Sequence, residues 1–98
     1  MKENAWIIPA IQKYRTICLI HRYLYYVKDS PIIADLAYDT LERKLKTLVE
    51  GFPELAAKAA FGEICPVTHP GSSFPEDYPR RVEQLAESLL AYSGRRFD

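Results

Sequence analysis

Apolar residues recur near the start of the chain at Ile11, Tyr14, Cys18, His21 (if neutral) and Tyr25, in steps of three and four. Such steps put side chains on one face of a helix. Gln12, Arg15, Thr16 and Arg22 mark a wetter side. Pro9 suits a first turn, where its missing N–H has no partner to lose. The pattern predicts a helix over about 9–28, ended by Asp29-Ser30-Pro31 because a residue before proline is pushed out of helical geometry. Ile32, Ile33 and Ala34 then read as a short extended link.

A second stripe runs through Tyr38, Leu41, Leu45 and Leu48, with Glu42, Arg43, Lys44 and Lys46 mostly off it. It predicts a helix over about 36–50, with Asp35 as N-cap and Gly51 as the stop. Pro53 opens a short third helix over about 53–60, ended by Gly62. Residues 63–78 are rich in Pro, Gly and Ser and read as loop. Pro79 opens a last helix over about 79–93, where Val82, Leu85, Ala86, Leu89 and Leu90 give the clearest amphipathic pattern of the chain. Gly94 ends it, and 95–98 read as a loose tail. No segment alternates with period two for long. The expected fold is therefore all-α: a two-helix corner, a short third helix and a C-terminal amphipathic helix in a single domain spanning 1–98.

Composition narrows the function. Thirteen basic and 13 acidic residues give no net charge, which argues against a general phosphate-backbone binder, so no direct nucleic-acid contact is expected. No stretch reaches the roughly 18 apolar residues of a membrane span, and the N-terminus lacks the apolar region of an export signal. With two cysteines and no such signal, the expectation is a cytoplasmic protein with reduced thiols.

The candidate chemistry is sparse. Cys18 and His21 share a helix face, but a buried thiol beside a core histidine explains them as well as a nucleophile and base do. Adding Cys65 and His69 gives a zinc-compatible set of ligand types, but not the spacing of a known finger, so no metal is expected. The four glycines form no phosphate loop. No acid, base and nucleophile converge, so covalent chemistry by this chain alone is not expected.

Seven tyrosines are the unusual feature, and Tyr23, Tyr25 and Tyr26 sit within four residues. The segment from Tyr23 to Asp39 joins the end of one helix to the start of the next. Aromatic faces attract cations and stack on planar rings, and carboxylates bond sugar hydroxyls. A flat, positively charged, hydroxyl-bearing ligand such as a nicotinamide nucleoside suits that cluster, with Arg22 and Lys28 placed to meet an attached phosphate. Simpler roles stand beside this one: Asp35 as a cap, Asp39 as a helix-dipole partner, and Tyr25 and Tyr38 as core-facing residues.

The same stretch resembles the N-terminal helical (Ia) domain of bacterial NAD-dependent DNA ligases. The family pattern Y-x-Y-[YH]-x-x-D-x-P-x-x-x-D-x-x-Y-D reads here as Tyr23, Tyr25, Tyr26, Asp29, Pro31, Asp35, Tyr38 and Asp39, followed by Leu41, Leu45 and Phe52-Pro53-Glu54-Leu55. His21 also matches a position often held by histidine. The resemblance covers about residues 21–55, roughly a third of the 98 positions, without a gap. It implies a domain that closes over the nicotinamide mononucleotide half of NAD and orients it for attack by a lysine elsewhere. The implied contact residues are Tyr25, Tyr26, Asp35, Tyr38 and Asp39. Tyr26 stands where some members have histidine, and Ala37 where glutamate is usual. No K-x-D-G adenylation motif occurs, and the helix at 79–93 follows where an adenylation domain is expected. The resemblance therefore implies a free-standing module, an accessory part of a ligase at most, that either complements a separately encoded ligase core or holds NAD or the mononucleotide alone. The alternative is a non-catalytic interaction or regulatory protein of a ligase or another replication protein.

Overall fold

A computed structural model of the protein describes residues 4–61 and 78–97, apart from the side chains of Asp35 and 93–97. Among the described residues four α-helices follow one another: α1 (Ile7–Tyr26), α2 (Asp35–Gly51), α3 (Pro53–Lys58) and α4 (Arg80–Phe97). The all-α expectation holds, and no strand occurs among the described residues. The expected loop at 63–78, with Cys65, His69 and the stop at Gly62, lies outside the described residues except for Tyr78.

Helix α1 is the centre of the fold. Its N-terminal half packs on α2 and α3 through Ile7, Ile11 and Cys18, which meet Leu45, Ala56 and Ala59. Its C-terminal half packs on α4 through Leu19, Ile20, Tyr23 and Leu24, which meet Tyr78, Val82 and Ala86. The helix thus has two buried faces, and a stripe read from a single face misses part of it. Tyr25 was expected in the core but is 49% exposed, while its neighbour Tyr23 is 4% exposed and stacks edge-on against Tyr78 at 5.4 Å.

Arg15 departs further from expectation. It falls on the buried line Ile7, Ile11, Arg15, Leu19, Tyr23, in steps of four, and is 2% exposed. Its Nη1 donates to the carbonyls of Ala56, Ala59 and Ala60 at 3.0, 3.1 and 3.3 Å. Those carbonyls end α3 and its following turn, where helical partners run out and negative charge gathers. Gln12 adds to the same junction by accepting the Ala60 N–H at 3.1 Å. The wet side inferred for Gln12 and Arg15 is in fact the seat of α3.

The helix ends also shift. α1 stops at Tyr26, before the expected 28, because Asp29 takes a left-handed backbone (φ 51) and Ser30 N–H turns back to the Leu24 carbonyl at 2.8 Å. Aspartate tolerates that region better than most side chains. Ala34, extended at φ −72 and ψ 155, fills the N-cap of α2, which places Asp35 at the first helical position instead. Gly51 remains inside α2. Phe52 (φ −136, ψ 61) breaks the helix, since the following Pro53 disfavours helical geometry there. α3 ends at Lys58. α4 continues through Gly94 to Phe97, so the expected stop and loose tail are both overturned. A lone glycine costs a helix only about 1 kcal/mol relative to alanine, and the surrounding turns absorb it.

Candidate functional site

The corner between α1 and α2 forms a cleft of about 320 Å³. Three segments line it. The last turns of α1 supply His21, Arg22, Tyr25 and Tyr26, which at spacings of one, three and one share a helix face. The link supplies Pro31, Ile32 and Ile33, and the early turns of α2 supply Tyr38, Asp39 and Glu42. The left-handed turn at Asp29 folds the link back so that these faces meet.

Of the five residues singled out from sequence, Tyr25, Tyr26, Tyr38 and Asp39 converge on this cleft. Asp35 begins α2 beside it, and its side chain is outside the described set. Glu42, which the sequence pattern places mostly off the Tyr38 stripe, also lines the cleft, because it lies one turn beyond Tyr38 on α2. The two phosphate candidates are otherwise engaged. Lys28 pairs with Glu87 of α4 at 3.3 Å and lies over the Tyr23 ring. Arg22 sits among the cleft's own side chains: Nε donates to Tyr38 OH at 3.0 Å, Nη1 donates to Tyr26 OH at 2.8 Å, and Nη2 lies 3.7 Å from Glu42 Oε1. Its guanidinium carbon is 5.3 Å from the centres of both rings.

Burial sets the protonation states. It pushes the Tyr38 phenol above its ordinary range, and the adjacent Glu42 carboxylate pushes the same way. Tyr38 is therefore a neutral donor and acceptor at physiological pH. Burial also lowers the His21 pKa, favouring the neutral imidazole. Its Nδ1 is buried with no hydrogen-bond partner among the described residues. The described lining then holds one cation, Arg22, and two carboxylates, Asp39 and Glu42. That balance favours a ligand with positive charge and hydroxyl groups. The volume lies at the small end of the roughly 300–1,000 Å³ range of ligand sites, room for half a dinucleotide. The aromatic faces, the carboxylates and the unmatched His21 nitrogen fit a nicotinamide nucleotide. Two larger, more open grooves lie elsewhere: one is lined mainly by Ala5, Ile8, Phe52 and Leu55, and the other by Trp6, Tyr14, Thr40, Arg43, Lys44 and Thr47, a basic lining whose described residues hold no carboxylate for a cationic ligand.

Comparison with known proteins agrees with this corner. The family described as DNA ligase-like, N-terminal NAD+-binding domain matches residues 7–60, which takes in α1, α2, α3 and the whole cleft. The chain belongs to that family. A DNA ligase of Pseudomonas aeruginosa is 34% identical to it over 109 aligned positions, covering 92% of this chain and 14% of the ligase. A DNA ligase of Ectopseudomonas mendocina is 35% identical over 89 positions, covering 76% of this chain and 11% of that ligase. One of Symbiobacterium thermophilum is 57% identical over 53 positions, covering 54% of this chain and 8% of that ligase. The chain therefore spans about a seventh or less of these curated relatives, the share matched running from 8% to 14%. No solved structure matches it at a significant level. The ligase-like domain so defined is wider than the 21–55 segment that carried the resemblance in sequence, because α1 and α3 belong to it in full. Among its described residues no helix is long and apolar enough to cross a membrane.

Proposed function

We propose that this ligase-like domain binds the nicotinamide mononucleotide half of NAD in the α1–α2 cleft and presents it to an adenylation core. The observation that carries this reading is the convergence of Tyr25, Tyr26, Tyr38 and Asp39 on one cleft inside the family-matched region. The tyrosine rings offer π faces to the cationic pyridinium. Asp39, with Asp35 on the same helix start, accepts from ribose hydroxyls. Neutral His21 offers its unmatched nitrogen to a polar group of the ligand. In such ligases NAD supplies the adenylyl group, and the lysine it is transferred to belongs to the adenylation core. This chain's part is to bind and orient. An open corner buries little of a small ligand, so affinity for the mononucleotide alone is weak, on the order of millimolar.

Titration with nicotinamide mononucleotide, followed on the tyrosine resonances, tests this. Shifts of Tyr25, Tyr26 and Tyr38 that saturate in the millimolar range are expected. A spectrum unchanged at several millimolar would end the proposal.

A second reading has one observation in its favour. Leu89 and Tyr92 on α4 are 37% and 63% exposed, an apolar surface suited to a protein contact. Under that reading the domain docks on a ligase or another replication protein, and the complex survives Tyr38→Ala and Asp39→Ala. A pull-down with the wild type and both variants separates the two.

A further inference from the structure

Arg22 ties the two walls of the cleft together through its hydrogen bonds. Its Nη1 bond goes to Tyr26, one turn along α1, and its Nε bond crosses to Tyr38 on α2. We infer that Arg22 is a positioning residue: a planar clamp that holds the phenols of Tyr26 and Tyr38 at a fixed separation for the ligand. This rests on the nucleotide reading of the cleft.

The argument is geometric. A guanidinium carries its donors in one rigid plane and can serve two acceptors on different edges at once. Here both acceptors are the phenol oxygens of site residues, at 2.8 and 3.0 Å. The same group lies 5.3 Å from each ring centre, so each tyrosine is held at its hydroxyl and along its ring. Glu42, 3.7 Å from Nη2, steadies the third side. Tyr26 needs such a hold. It is 63% exposed, and apart from Arg22 its ring meets Tyr25, itself half-exposed, edge-on at 4.7 Å. An exposed ring without a tether samples several rotamers, and ordering it on binding lowers affinity. The clamp also bears on charge. Asp39 and Glu42 already flank Arg22, and a phosphate drawn to it would meet both carboxylates. Arg22 therefore acts on the ligand through the tyrosines, and its role does not depend on the phosphate.

Two ligands separate these roles. Nicotinamide mononucleotide and nicotinamide riboside differ by the phosphate alone. In Arg22→Met, affinity for both falls by about tenfold and their ratio stays as in the wild type. A loss confined to the mononucleotide makes Arg22 a phosphate receptor and overturns the clamp. Arg22→Lys fails to recover binding, because an ammonium is a point charge and not a fork; full recovery overturns the proposal. Where Arg22→Met does not fold, the double variant Tyr26→Phe/Tyr38→Phe removes the same two bonds with Arg22 in place, and the equal loss on both ligands is expected there. A second readout needs no ligand. The Arg22 Nε–H resonance exchanges slowly in the wild type and speeds up in Tyr38→Phe, while amide resonances of α4 stay in place. Exchange indifferent to Tyr38→Phe overturns the clamp. If the wild type binds neither ligand, the nucleotide reading falls, and the exchange measurement still decides whether the clamp exists.

Discussion

A buried arginine is tolerated only when its donors are met. Arg15 meets them with three carbonyls at the end of α3. Hydrogen bonds from a charged group contribute about 1.5–3 kcal/mol, so Arg15→Leu lowers stability by about 2–3 kcal/mol, read as a shift of the urea midpoint. Arg15→Lys recovers part of the loss, since an ammonium cannot reproduce the fork. His21 makes the opposite case, a titratable group held neutral. Its folded pKa is lowered by burial, so the unfolded chain takes up the proton first as pH falls. Stability contributed by neutral His21 is full above the unfolded pKa of about 6.5 and declines as pH drops below it. The urea midpoint is expected to be lower at pH 5.5 than at pH 7.5, and His21→Gln to flatten that slope.

At the scale of elements, α1 serves two neighbours through two separate clusters. Leu24 belongs to the α4 side and Leu45 to the α2–α3 side, and both are fully buried. Leu24→Ala should cost about 2–4 kcal/mol and speed amide exchange first in α4. Leu45→Ala, of similar cost, should loosen α2 and α3 first. The Lys28–Glu87 pair joins the end of α1 to α4 on the exposed surface. Lys28→Ala is expected to leave the thermal midpoint unchanged, because such pairs contribute little. Loosening α4 leaves the cleft walls intact, since the cleft is built from α1, the link and α2. Leu24→Ala protein should thus keep its mononucleotide shifts wherever it is folded.

For the whole molecule, the cleft exists because the facing sides of two successive helices, joined by the short link 27–34, are folded onto each other at one left-handed turn. Loss of the Asp39 charge tests the electrostatic side of that arrangement. Asp39→Asn should weaken nicotinamide mononucleotide by about tenfold at neutral pH, measured in the same titration, as expected for a charge-assisted hydrogen bond made neutral.

Local rules determined much of this protein. Periodicity marks four helices, because a helix repeats every 3.6 residues whatever it packs on. The Tyr23–Asp39 register marks the corner and four of its cleft residues, since motif positions are fixed along the chain. What the sequence left open depends on neighbours it cannot show. Arg15 reads as a surface residue until α3 is seen to end against it. Tyr25 and Tyr23 exchange the roles that a single stripe assigns them, because α4 buries a second face of α1. Gly94 reads as a stop, yet the chain keeps its helix through it. Arg22 reads as a solvent-facing charge with a phosphate in reach. Only the approach of α2 shows its donors turned onto Tyr26 and Tyr38, because a side chain's partners are set by which elements meet in space.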